Sequence, residues 1–164
     1  MIPNEPIWLA HARKYIGLKE VPGPKSNPTI LAWLKSLKAW WAEDATPWCG
    51  TFVAHCMQES KIVLPKHWYR AKDWLNWGVS VPLSAPTLGC IAVLGREGGG
   101  HVFIVTKQNA TYVWGVGGNQ SDGVNEAKFL KSRVLGYRWP KNTAPGVVAP
   151  TVKDDGKPVS KNEA

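Results

Sequence analysis

Apolar residues recur at three- and four-residue intervals through the first half of the chain, then in short β-rich runs through the second. Trp8, Leu9, Ala12, Tyr15 and Ile16 form one helical stripe, with Asn4 as the expected cap and Gly17 as the stop. Asn27-Pro28 opens a second helix by joining a capping side chain to a first-turn proline, and Ile30, Leu34, Leu37 and Trp41 line its stripe. A third helix is expected from Thr46-Pro47, turning Phe52, Val53, Cys56 and Met57 inward, and a shorter one over 70–77 ends at Gly78. After Pro86 the period changes, and strands are predicted over 90–94, 101–106, 111–116 and 133–139, separated by glycine-rich or Asn-Ala turns. This order predicts an α+β fold, with N-terminal helices packed on a C-terminal antiparallel β-sheet.

With 164 residues, the chain fits one domain. Residues 141–164 carry Pro145, Pro150 and Pro158 among Lys, Asp, Ser and Thr without one aromatic, so they are expected as a flexible tail beyond a folded body of 1–140. The net charge is +8, and the body keeps 16 basic residues against 9 acidic, so the folded part itself is cationic. That charge suits a polyanionic partner: nucleic acid, anionic lipid or a bacterial envelope polymer. No apolar run approaches the roughly 20 residues of a membrane span, which excludes stable insertion as a helix. The start, Met1 to Pro6, lacks the basic-then-apolar layout of a secretion signal, so synthesis in the cytoplasm without a signal peptide is expected. Three cysteines with no C-x-x-C pair argue against a disulfide scaffold and a zinc ribbon. Ten tryptophans are many for this length; most are expected in the core, although indoles also stack on sugars and bases.

Cys49 is the first candidate for chemistry. With Thr46 as cap it falls in the first helical turn, where unpaired N–H groups and the helix dipole favour a thiolate, the form in which sulfur is a nucleophile. The same position also suits a buried, inert thiol. Cys56 lies seven residues on, too far along the axis to bridge to Cys49, and belongs to the apolar stripe; Cys90 opens an apolar strand. Both are expected in the core. His101 follows three glycines and begins a strand, from which an imidazole can lean over a neighbouring helix end, or simply bond a backbone carbonyl at a strand edge. Asn119 ends the next strand, where antiparallel pairing can bring it beside His101 to fix the tautomer, although Gly-Gly-Asn also makes an ordinary turn.

Trp48-Cys49-Gly50 at a helix start, the strand from Gly89 followed by Gly100-His101-Val102, and Gly117-Gly118-Asn119-Gln120 together resemble the papain-like cysteine hydrolases of the NlpC/CHAP superfamily, especially small phage endolysins. The opening Gly17 to Gly23 and Asn27-Pro28 is similar as well, while Gly89-Cys90 stands where many relatives have Gly-Asp. The resemblance implies an amidase or endopeptidase that cuts bacterial peptidoglycan with no cofactor and no metal. It assigns the nucleophile to Cys49, the base to His101 and the orienting residue to Asn119. Trp48, beside the thiol in sequence, is expected as an exposed substrate contact, and Glu20 is expected to border the cleft. The resemblance further implies a monomer acting on the cell wall, drawn there by anionic envelope polymers. Glu43 and Asp44 are a possible calcium pair in that family, but two acids fall short of six to eight oxygen ligands, and solvated surface is the expectation. Other readings of the same residues are a non-catalytic wall- or nucleic-acid-binding module, a zinc hydrolase, and an amidase toxin delivered to competitor bacteria.

Overall fold

The computed structural model describes residues 4–21, 26–42, 47–96 and 99–160. Three helices, α1 (Ile7–Lys14), α2 (Pro28–Ser36) and α3 (Cys49–Glu59), precede the sheet, as the pattern predicts. The cap of α2 forms as expected: the Asn27 side chain accepts the Thr29 N–H at 2.8 Å. A cap of this kind is worth about 1 kcal/mol. Helix α1 differs, because Asn4 is left-handed at φ 64° and Pro6 occupies the cap instead. Helix α3 also begins later than expected. Its cap is Trp48, so Pro47 precedes the helix and Cys49 is its first residue, while Thr46 lies outside the described residues. The helix over 70–77 is a tighter 3-10 segment, Ala71–Asn76.

Six strands form one antiparallel sheet: β1 (Val79–Val81), β2 (Ile91–Arg96), β3 (Gly99–Gln108), β4 (Tyr112–Gln120), β5 (Gly123–Leu130) and β6 (Val134–Trp139), in the order β1-β6-β2-β3-β4-β5. The sequence pattern did not predict β1 or β5. Strand β5 is broken up by Asn125, Glu126 and Lys128 and shows no regular polar–apolar alternation; it pairs with β4 through a two-residue turn in which Ser121 and Asp122 both have positive φ. Such turns match the twist of a hairpin, and Asp122-Gly123 is the local signal that marks this one.

Helix α3 lies against the end of β4, where a Cβ on Gly118 would stand 2.7 Å from both Phe52 and Trp48. Only glycine lets helix and strand approach so closely. Phe52, Val53, Cys56 and Met57 are fully buried there, as is Cys90 at the foot of β2, so both extra thiols are core residues. Eight of the ten tryptophans are buried, several with the indole N–H bonded to a backbone carbonyl, as Trp8 to Gly89 at 2.7 Å and Trp74 to Trp68 at 3.0 Å. No helix among the described residues is long and apolar enough to cross a membrane.

Residues 141–160 are not a free tail. Leu88 and Ala149 N–H groups donate to Val147 and Pro86 carbonyls, Gln108 exchanges bonds with Pro150 and Val152, and Ser160 N–H donates to the Lys128 carbonyl at 2.7 Å. Side chains complete the attachment: Lys128 donates to Asp154 at 2.6 Å and to Asp155 at 3.0 Å, and the Trp114 indole donates to Asp155 at 3.1 Å. Composition missed this because the segment is fastened by backbone pairing and charge, neither of which needs aromatic content. The Lys157 N–H, the Lys128 ammonium and the Trp114 indole hold the Asp155 carboxyl well below the usual carboxylate range. A depressed folded-state value stabilises the attachment above the unfolded carboxylate value of about 3.9 and loses that stabilisation as pH falls through the folded value. Limited proteolysis across this acid range should therefore cut 141–160 faster as pH falls, and Asp155→Asn should be cut faster already at neutral pH, with a shallower pH dependence.

Candidate active site

The first turn of α3 and the start of β3 meet at Cys49. Its Sγ accepts the backbone N–H groups of Val102 and Gly50, so the thiol sits against the strand at the residue directly after His101. Gly50 makes the approach possible on the other side, since a Cβ there would collide with the Trp68 carbonyl oxygen. Cys49 is only 4% exposed, yet it lines a surface cleft of about 280 Å³ with Pro47, Tyr69, Arg70, Lys72 and Arg96 among its walls. Among the described residues of the lining, three cations, Arg70, Lys72 and Arg96, stand with one acid, Asp73, a balance that suits an anionic substrate.

Burial pushes the Cys49 thiol up, and the Val102 and Gly50 N–H groups and the Arg96 guanidinium oppose that push without reversing it. The expected resting thiolate therefore gives way to a resting thiol. The helix end, the strand amide and Arg96 are placed to hold the anion once a base has removed the proton. Burial pushes the Cys56 and Cys90 thiols up as well, and neither has a cationic neighbour to oppose it. Arg96 is held by its Nε donating to the Gly100 carbonyl at 3.1 Å. Replacing it with glutamine should raise the thiol further and move the pH profile of iodoacetamide labelling at Cys49 to higher pH by about half to one unit, read by peptide mass spectrometry.

His101 is fully buried on β3, opposite Leu94 of β2, and its ring stacks on Phe103 and tilts against Phe129. Its Nε2 is 3.0 Å from Gln120 Oε1. The amide direction follows from the next contacts. Gln120 Nε2 donates to the Asn125 carbonyl at 2.8 Å and to Asn125 Oδ1 at 3.0 Å, while Asn125 Nδ2 donates back to the Gln120 carbonyl at 2.7 Å. With its N–H₂ group committed to acceptors, Gln120 presents oxygen to the imidazole, so Nε2 carries the proton and Nδ1 is the basic nitrogen.

This corrects the expected third residue. Asn119 is buried and left-handed at φ 61°, and its amide Nδ2 has no hydrogen-bond partner; the neighbouring Gln120 takes the contact with His101. A register shift in β4 between Gly117 and Gln120 resets which residue turns toward the histidine. Gly117 is part of the device, because a Cβ there would collide with Gln120 Oε1. Neither Gln120 nor Asn125 was identified from the sequence, although Asn119-Gln120 offered two adjacent amides as a signal.

Trp48 and Glu20 are brought together, but not as a substrate platform. Trp48 is 1% exposed, and its indole N–H donates to Glu20 Oε1 at 2.9 Å, so the ring is a core wedge with one polar handle. His55 faces away from the cleft, bonding Tyr15 at 3.0 Å and stacking on Trp33. Among the described residues no group of three or more His, Cys, Asp or Glu stands together to hold a metal ion, and Glu43 and Asp44 lie outside those residues.

The CHAP domain family model matches residues 41–119, a span that contains Cys49, His101 and the strands between them. Over these residues the chain is similar to CHAP domains. Its helices and antiparallel sheet have the papain-like layout of that family. CHAP domains are generally cysteine- and histidine-dependent amidases or peptidases of peptidoglycan. The match stops one residue before Gln120, so the amide pair that orients the histidine lies just outside it. No curated protein and no solved structure matches the chain.

Proposed function

We propose that this CHAP-like domain hydrolyses an amide bond of bacterial peptidoglycan with Cys49 as nucleophile, His101 as general base and acid, and Gln120 as the residue that positions the histidine. The observation that carries this reading is the seating of Cys49 Sγ on the Val102 N–H, one residue from an imidazole whose tautomer is set by Gln120. Proton transfer from Sγ to His101 Nδ1 produces the thiolate, which adds to the amide carbonyl. The first N–H groups of α3, which lack partners within the helix, are suited to the oxyanion. His101 then protonates the leaving amine, and water cleaves the thioester to regenerate Sγ. The raised resting thiol makes the base indispensable, since little thiolate exists without it.

Arg70, Lys72 and Arg96 at the cleft, on a chain of net charge +8, support an anionic wall polymer with carboxylate-bearing stem peptides as substrate. The activity is that of an endolysin-type enzyme, acting as a monomer on the wall of a bacterium. Mass spectrometry of purified peptidoglycan after digestion tests the proposal: new termini at the sugar–peptide junction define an amidase, and new termini within the stem or cross-bridge define an endopeptidase. Intact peptidoglycan after prolonged incubation with folded protein would remove the proposal.

A further inference from the structure

Burial of eight indoles leaves two tryptophans outside the core, and they are adjacent. Trp40 is 88% exposed, the most exposed of the large apolar side chains, and Trp41 is half-buried beside it. The other exposed apolar residues, such as Val63, Leu83, Leu135 and Val148, are aliphatic. Trp40 instead begins a series of rings. It meets Trp41 edge-to-face at 5.1 Å, Trp41 meets Tyr69 edge-to-face at 5.5 Å, and Tyr69 lines the cleft that contains Cys49. Trp41 also leans on buried Trp68 at 5.9 Å, whose carbonyl is bonded by Trp74. The inner end of the ridge is thus anchored in the core and the outer end is in solvent. The Arg70 guanidinium lies 5.6 Å from the centre of the Tyr69 ring, placing a hydrogen-bond donor alongside it.

We propose that Trp40 and Trp41 form a glycan subsite that holds the sugar strand of peptidoglycan while the attached peptide enters the cleft. An exposed, preorganised indole offers a flat apolar face to the C–H face of a pyranose, and the hydroxyl groups of the sugar remain free for water and for polar neighbours. The ridge is continuous with the cleft wall, so a polymer that presents an amide to Cys49 passes its backbone along the rings. The proposal rests on the peptidoglycan reading above for its ligand. It replaces Trp48, which is buried, with the indole that a sugar can reach.

Binding to purified sacculi is the test, measured by co-sedimentation in the Cys49→Ala background so that no digestion occurs. Trp40→Ala is expected to weaken binding about tenfold, within the range that stacking on one exposed aromatic ring supplies. Val148→Ala, an exposed apolar residue on the segment beyond β6, should bind as the parent does. Because the Trp40 ring is exposed, the melting temperature of Trp40→Ala should match its parent, which separates lost contact from lost fold. Titration with soluble N-acetylglucosamine oligomers should give binding that Trp40→Ala loses. Unchanged sedimentation of Trp40→Ala would overturn the subsite, as would binding that isolated stem peptides or single-stranded DNA compete away while the oligosaccharide does not. These outcomes are independent of catalysis: a wild-type protein that binds through Trp40 but cuts nothing would refute the enzyme and keep the subsite, and one that cuts the wall without Trp40-dependent binding would do the reverse.

Discussion

Cys49→Ala is expected to abolish wall clearing, with turnover reduced by at least about 10⁴-fold, the scale on which hydrolases lose activity when the nucleophile is removed. The expectation follows from the absence of any substitute near the base. Cys56 and Cys90 are fully buried in the core, and their thiols are pushed far up by burial. The fold should survive, because deleting one sulfur at the cleft costs about 1 kcal/mol, comparable to removal of one buried methyl group. Turbidity of outer-membrane-permeabilised cells reads the activity, and circular dichroism melting reads the fold. Cys56→Ala and Cys90→Ala supply the contrast: both should keep activity while their melting temperatures drop. Clearing by Cys49→Ala at more than a trace would move the nucleophile elsewhere and end the proposed mechanism.

Gln120→Ala is expected to lower kcat by about 10² to 10³-fold with KM little changed, since the lost group touches the histidine rather than the substrate. Two effects combine. The Nε2 proton of His101 loses its acceptor inside an apolar site walled by Phe103 and Phe129, which costs about 1–3 kcal/mol of stability. The imidazole can then also carry its proton on Nδ1, the nitrogen that must accept the Cys49 proton, so a fraction of the enzyme becomes the wrong tautomer. Iodoacetamide labelling of Cys49 should slow in parallel, a readout that a general loss of stability would move the other way by exposing the thiol. Asn119→Ala separates the two neighbouring amides: the His101 contact belongs to Gln120, so the kcat loss should be much smaller than for Gln120→Ala. Equal losses would restore Asn119 to the orienting role.

The difference between those two residues shows where sequence reasoning reaches its limit. A strand turns alternate side chains to opposite faces, so parity predicts partners only while pairing is regular. The register shift between Gly117 and Gln120 breaks the parity of β4, and its position depends on how Gly118 packs against Trp48 and Phe52 of α3. No local pattern carries that information. Strand β5 escaped prediction for a related reason. Its run of Val124, Asn125, Glu126, Ala127, Lys128 and Phe129 lacks regular alternation, and its polar members Asn125 and Lys128 are explained only by their contacts with Gln120 and with Asp154. Trp48 was expected at the substrate because it adjoins Cys49 in sequence, but proximity along the chain does not set exposure, and a single bond to Glu20 allows this indole to be buried.

The α2 cap at Asn27, the inward stripe of α3 and the helix-then-meander order were all legible in the sequence, which also singled out Cys49 and His101, the pair on which the proposed mechanism rests. Each rests on interactions spanning a few residues or on chemistry confined to a few side-chain types, and such features survive any arrangement of the rest of the chain. Tertiary structure decided the neutral resting state of Cys49, the choice of Gln120 over Asn119, the anchoring of 141–160 and the isolation of Trp40 at the surface. Those properties come from burial and from contacts between residues 19 to 41 positions apart, such as His101 with Gln120 and Trp114 with Asp155. Desolvation and long-range hydrogen bonding exist only once the core has closed around them.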